Sequence, residues 1–348
     1  MKKSKVNTKQ KKTLPTKKTK KSSVVTKPFK PDYEIVEAFR GTPPSSVVVI
    51  EEPLVAPSTS STTAAPQPPP SQQQPQIKVP VAKWKLDDGK SVLFLSDLHL
   101  GVKDSKYSNV FQLDPAKFAT YINNAIKRFD LIVLIGDVFE LWVGTVGAEA
   151  IDHEIYGKRV KEIWESWEQT PMKKALKKLL NSPSTVLVAG NHDWGIFEYP
   201  VELPFSCRHV SGVQITAGSK KIFAAHGHQF DPQCDTEKSK FWEVSKAFME
   251  IGGWISELTN TPMNDIQGLV STVSTGDEKL TEGALKLIER DGLDLVLFGH
   301  THVAMAKSTA DGKRWYVNTG MCQTSPFDMV IVKFVGGQLK VSRNKVNL

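Results

Sequence analysis

Seven side chains with metal affinity stand at or just beyond the ends of five apolar runs. SVLFLSD (91–97) ends on Asp97 and leads through Leu98 to His99, and LIVLIGD (131–137) ends on Asp137. TVLVAGN (185–191) ends on Asn191 and continues into His192 and Asp193. KIFAAHG (221–227) carries His226 ahead of His228, and LDLVLFGH (293–300) ends on His300, with His302 two residues further. Mixed Asp, Asn and His donors without a thiolate suit Mn, Fe, Zn or Co rather than a sulfur-rich structural zinc site. Residues i and i+2 of an extended chain point to one side. Strand alternation is therefore expected to aim Asp97 with His99, and His300 with His302, into one place.

The elements that must position these groups read as alternating strands and helices. The five runs are short, apolar and rich in β-branched residues, the pattern of strands buried on both faces. DPAKFATYINNAIKRF (114–129) has apolar residues at helical spacing. Thr170 before Pro171 supplies an N-cap and a first-turn proline for a lysine-faced helix ending at Leu180. RWYVNTG, MVIVKFV and QLKVSR read as further strands, expected to form a second sheet. The sum is an α/β domain of two packed sheets. In such sheets ligands sit at the carboxyl ends of strands, so the five ends are expected to converge on one crevice. Taken singly, Asp-x-His, Gly-Asp or Gly-Asn-His-Asp is an ordinary turn sequence. Five of them in order, each closing an expected strand, point to a pair of metal ions.

The ordered set DLH (97–99), GDVFE (136–140), GNHD (190–193), HGH (226–228) and GHTH (299–302) resembles the calcineurin-like metallophosphoesterase superfamily over about residues 90–335. The resemblance implies a four-layer αββα sandwich with a dinuclear metal centre. It assigns Asp97, His99 and His302 to one ion and Asn191, His226 and His300 to the other, with Asp137 bridging both. His192 matches the family's catalytic histidine, which lies beside the ions without binding them, and Glu140 stands where many members carry an acid that orients it. Glu140 also reads as a solvent-facing acid at a helix start. Two divalent ions are expected, Mn²⁺ first, with Zn²⁺, Fe²⁺, Co²⁺ or Ni²⁺ as alternatives. Two such ions would lower the pKa of a shared water, giving a hydroxide to attack phosphorus in line, and His192 would stabilise the developing charge or act as general acid toward the leaving oxygen.

For the substrate, the resemblance implies a phosphodiester or pyrophosphate bond. The Asp-Arg-Gly of Ser/Thr protein phosphatases is missing after GDVFE. GDVFELWVG and HGHQFD instead resemble the branch containing the UDP-2,3-diacylglucosamine pyrophosphatases of lipid A synthesis. That branch inserts helices between its fourth and fifth motifs, so a helical cap is expected over about residues 232–290. KFWEVSKAFMEIGGWISEL (240–258) carries bulky residues suited to covering an apolar cleft or packing on the sheet. The chain departs from that branch at His192 and His228, where the lipid A enzymes commonly carry arginine and aspartate. A phosphomonoesterase, a nuclease and a non-catalytic scaffold remain as alternatives.

Outside the domain, expected over 81–348, composition changes twice. Residues 1–30 hold twelve lysines and no acid in a chain of formal charge +8, which leaves −4 for residues 31–348. A basic disordered tail is expected over 1–40 and a Pro/Ser/Gln-rich linker over 41–80. The linker is preceded by PDYEIVEAF and spans SVVVIEEPLV, two short apolar islands. The lysines fit contact with nucleic acid or an anionic membrane surface, or merely solvation. The expected substrate partner is a phosphorylated small molecule, a nucleotide or a nucleic acid. No run reaches the length of a membrane span and no secretory h-region follows the lysines. Cys207, Cys234 and Cys322 are odd in number and scattered, which fits a reducing compartment. An intracellular, cytoplasmic location is the expectation.

Overall fold

A computed structural model describes residues 81–105, 109–141, 153–198, 203–231 and 276–348, with the side chains of 153–156 and 276 excepted. The tail, the linker and the apolar segment 240–258 lie outside the described residues. Their elements run β1 (Val81–Lys85), β2 (Ser91–Leu95), α1 (Pro115–Arg128), β3 (Leu131–Ile135), α2 (His153–Ser166), α3 (Pro171–Leu180), β4 (Thr185–Val188) and the single turn α4 (Gly195–Glu198). There follow β5 (Arg208–Val210), β6 (Gly212–Ala217), β7 (Lys220–Ala224), a 3₁₀ turn at His228–Phe230, α5 (Gly276–Asp291), β8 (Leu295–Phe298), β9 (Met305–Ser308), β10 (Trp315–Asn318), β11 (Phe327–Val335) and β12 (Gln338–Val346).

The strands form two six-stranded sheets, one ordered β1-β6-β7-β8-β10-β9 and the other β12-β11-β2-β3-β4-β5. β2, β3, β4 and β5 pair in parallel, as do β7, β8 and β10. The remaining neighbours are antiparallel except β1 with β6, which is parallel. The C-terminal runs therefore do not make a sheet of their own. β10 joins β8, whereas β11 and β12 extend the other sheet from β2. Hydrophobic pattern identifies a strand but carries no information on its neighbour, which is why the sequence misplaced these three.

Alternation along each central strand divides the core into layers. Val92 and Phe94, Val133 and Ile135, and Val186 and Val188 face the other sheet, where they meet Val213, Ile215, Ala224, Leu295 and Leu297. Leu93 and Leu95, Ile132 and Leu134, and Leu187 face the opposite way, onto α1, α2 and α3. α5 covers the outer face of the second sheet through Leu280, Ala284, Leu287 and Ile288, packed on Val296, Phe298 and Tyr316. The order helix, sheet, sheet, helix is the four-layer sandwich that the motif set implied. Of the interval 232–290 expected as a cap, residues 232–275 lie outside the described residues, and 276–290 belong to α5 on the sheet.

The helix starts follow local chemistry. Asp114 accepts from the amides of Ala116 and Lys117 (2.8 and 2.9 Å) ahead of Pro115, and Thr170 Oγ1 accepts from Lys173 N (3.1 Å) ahead of Pro171. Lys127 and Arg128 close α1, and Lys177 and Lys178 close α3, where positive charge meets the negative end of the helix dipole. Among the described residues no helix is long and apolar enough to cross a membrane.

Phe94 is fully buried between the sheets, on the strand that leads into Asp97. Phe94→Ala is expected to cost about 3–5 kcal/mol, read as a lowered urea midpoint with an unchanged slope.

Candidate metal centre

The five strands that carry the motifs stop short of them. β2 ends at Leu95, β3 at Ile135, β4 at Val188, β7 at Ala224 and β8 at Phe298, so every donor sits in the turn beyond. The backbone there is not extended. Asp97, His99, Asp137, His300 and His302 have φ of 54°, 45°, 51°, 74° and 60°, five of the seven non-glycine residues with positive φ among those described. Left-handed backbone is unfavourable for a side chain with a Cβ, and such residues cluster where a site over-determines them. Asp97 and His99 do reach one donor group, whereas His302 joins them and His300 joins Asn191 and His226 on the other side of Asp137. The cause is this repeated left-handed kink, not the strand alternation expected from sequence.

Hydrogen bonds between the turns hold the kinks. The amides of Asp97 and His99 donate to the carbonyls of Gly136 and Asp137 (3.2 and 2.8 Å), and Gly299 N donates to His226 O (3.0 Å). Asp193 is wholly buried, and its carboxylate accepts from the amides of Gly190 (2.8 Å), Val138 (2.7 Å) and Phe139 (3.4 Å). It thus ties the turn after β4 to the turn after β3. Burial and the nearby charge of Asp137 push its pKa up to about 6. Gly190 lets these turns touch, because a Cβ there would lie 2.1 Å from Asp137 Oδ1 and 2.3 Å from Asp137 N.

The donors fall into two groups that meet at Asp137. In the first, His302 Nε2 is 3.3 Å from both Asp97 Oδ1 and His99 Nε2, and His99 Nε2 is 3.5 Å from Asp137 Oδ2. In the second, His226 Nε2 is 3.1 Å from Asp137 Oδ2 and 3.0 Å from Asn191 Oδ1, and His300 Nδ1 is 3.0 Å from the same Asn191 oxygen. Within Asp97–His99–His302 and within Asp137–His226–His300 the donor atoms all lie within 4.8 Å of one another, and either set could hold a metal ion. Asp97 Oδ1 is buried without a well-formed hydrogen bond, as an atom aimed at a cation would be. The donor chemistry and this orphaned oxygen fit divalent ions.

Three of the four histidines in these groups have the other ring nitrogen engaged. His99 Nδ1 donates to Glu140 (2.8 Å), His226 Nδ1 to the Ile135 carbonyl (2.8 Å) and His300 Nε2 to Asp231 (3.1 Å). Each partner fixes the tautomer that leaves the inward nitrogen able to bind. Glu140 is fully buried, so the solvent-facing reading is wrong. Phe139 before it bridges Leu100 in the turn after β2, the Glu140 amide donates to the Leu100 carbonyl (3.0 Å), and the carboxylate turns inward. It also accepts from His192 Nδ1 (2.9 Å), and the His99 and His192 rings stand edge to face at 4.5 Å.

Electrostatics follow from burying so many charges together. Burial opposes ionisation of Asp137 and Glu140, yet facing histidines hold both carboxyls well below the ordinary range. His226 shows the converse: burial lowers its pKa, but Asp137 outweighs this and raises it to about 9. His228 is also fully buried, beside Trp194, His226 and His300. Burial and the charge of the two neighbouring histidines press its pKa well down, so it stays neutral.

The structure brings all seven expected donors, His192 and Glu140 to one crevice. Sequence reading assigned no role to Asp193, His228 or Asp231, although each stands inside or beside a quoted motif. The available signal was their density around the glycines; which of them turns inward is decided by the turns.

The model of the calcineurin-like phosphoesterase family matches residues 90–304. A curated UDP-2,3-diacylglucosamine hydrolase from Pseudomonas paraeruginosa is 32% identical over 65 residues, 19% of this chain, so the chain spans about a quarter (24%) of that relative's length. Among solved structures, Vps29 of Chaetomium thermophilum is 14% identical with a TM-score of 0.34, covering 74% of this chain and 96% of that one. An archaeal phosphodiesterase is 14% identical with a TM-score of 0.31, covering 74% and 99%. With its family match spanning all five motifs, the chain belongs to the calcineurin-like phosphoesterase family.

Proposed function

We propose that this protein is a metal-dependent hydrolase of phosphodiester or pyrophosphate bonds. The observation that carries the reading is the meeting of two donor groups on one buried carboxylate, Asp137, with His192 held beside them by Glu140. Asp97, His99 and His302 would hold one divalent ion, Asn191, His226 and His300 the other, and Asp137 both. When bound, such ions supply Lewis acidity, polarising phosphoryl oxygens and lowering the pKa of the attacking water.

The chain's own residues do the rest. Asp97 and Asp137 supply the negative charge that offsets the cations in a buried crevice. Glu140 accepts from Nδ1 of His192, so Nε2 is the nitrogen that gives a proton to the leaving oxygen. The same carboxylate holds His99, which fixes the distance between the proton donor and the first donor group. Neutral His228 fills the space beside His226 without adding repulsive charge. The family match and the name of the curated relative support a phosphate bond as target, with a pyrophosphate or diester favoured by GDVFELWVG and HGHQFD. Mn²⁺ is the ion of first choice, and the lysines of residues 1–30 would draw the enzyme to nucleic acid or an anionic membrane.

The test is hydrolysis of bis-p-nitrophenyl phosphate and p-nitrophenyl phosphate by the full chain with Mn²⁺, with Asp137→Ala as control. Diester cleavage that vanishes in the control supports the reading. Preference for the monoester moves the substrate to phosphomonoesters, and a wild-type chain that binds Mn²⁺ yet cleaves neither points to a scaffold. His192→Ala is expected to bind Mn²⁺ with unchanged stoichiometry while kcat on the diester falls about 10²–10⁴-fold. Mn²⁺ affinity should also depend on pH. His226 keeps its proton up to about pH 9 in the metal-free chain, and a metal needs the neutral ring. Binding at pH 7 therefore releases that proton. Apparent affinity measured by calorimetry rises with pH above neutrality, about tenfold per unit for each proton displaced.

A further inference from the structure

We propose that Asp231 is a positioning residue that fixes His300 for metal binding, an inference that rests on the reading of the site as a metal centre. Asp231 comes from a different part of the chain than the GHTH motif, 69 residues before His300, and its Oδ2 lies 3.1 Å from His300 Nε2. Both side chains are more than nine-tenths buried, at 7% and 9% exposure. The opposite nitrogen of the same ring, Nδ1, is the atom that faces Asn191. With a carboxylate accepting at Nε2, the ring carries its proton there and presents the Nδ1 lone pair inward.

The chain builds this contact deliberately. Gly227 takes φ 103°, and a 3₁₀ turn over His228–Phe230 then reverses the chain so that Asp231 N donates back to His228 O. Phe230 anchors the turn by stacking on Phe298, with ring centroids 5.3 Å apart, and by filling the space left at Gly283 of α5. The residue after that anchor is carried back to the turn beyond β8. The arrangement parallels Glu140 on His99, so each donor group has one histidine backed by a buried carboxylate. A carboxylate partner orients the ring and raises the basicity of the ligating nitrogen, and losing such a partner typically costs 10–100-fold in metal affinity. Asp231 touches neither substrate nor ion in this scheme and acts on the centre through His300.

The experiment is Mn²⁺ titration by calorimetry of the full-length wild type, Asp231→Ala, Asp231→Asn, His300→Ala and the Asp231→Ala/His300→Ala double variant. Near-ultraviolet circular dichroism accompanies each titration to compare the folds. The wild type is expected to bind two ions. Asp231→Ala is expected to weaken one of them about 10–100-fold and leave the other unchanged. Asp231→Asn keeps an oxygen acceptor and the shape of the side chain, so it should recover part of the loss. The double variant should bind no more weakly than His300→Ala, because the effect passes through that ring. Wild-type affinity at both steps in Asp231→Asn and Asp231→Ala would overturn the proposal, as would a double variant weaker than His300→Ala by the full Asp231→Ala factor. A wild type that binds no Mn²⁺ would remove the metal-centre reading itself, and this proposal with it.

Discussion

Burying a carboxylate is tolerable only where opposite charge or hydrogen-bond donors surround it, and Asp137 is the place where that requirement organises the molecule. One of its oxygens takes the His192 amide, and the other faces His99 and His226. To reach it, four other turns must converge on the turn after β3. Two of them give up backbone preference to do so, in left-handed φ at Asp97 and His99 after β2 and at His300 and His302 after β8. The polar cluster is viable because its members satisfy one another. Remove the centre and the surrounding histidines and carboxylates become buried groups without compensation.

The sandwich supplies what the cluster cannot supply for itself. Parallel strands bring several chain ends to one edge in the same direction, and helices on both outer faces keep water from the strands behind them. The rigid part therefore ends two or three residues before the chemistry begins. This short interval is long enough for a kink and too short for wandering, particularly with Asp193 clamping one turn and Asn318 donating to the Gly299 carbonyl in another (2.7 Å).

Much of this was legible before any coordinates. The apolar runs gave the five central strands, Thr170–Pro171 gave the start of α3, and the types of residue beyond each run gave the donors. Three things were not legible, each for a physical reason. Strand neighbours depend on contacts between distant segments, so β10 and β11 were wrongly grouped. Backbone handedness is a local conformation that Asp or His rarely adopts unaided, so alternation was invoked where kinks operate. The inward turn of Glu140 and the reach of Asp231 depend on who stands opposite, and a carboxylate looks the same in sequence whether it meets water or a histidine.

The crevice also draws on both sheets at once. Asp97, His99, Asp137 and Asn191 follow strands of one sheet, while His226, His300 and His302 follow strands of the other. Neither sheet alone owns a complete set, and the oily layer between them has to be closed before the two halves come into register. The complete polar cluster thus exists only where both sheets are in place, and its integrity gauges whether the sandwich has shut. A slip of one sheet against the other by a single residue spacing would leave both cores greasy and intact in composition, yet the histidines from one side would no longer face the carboxylates from the other.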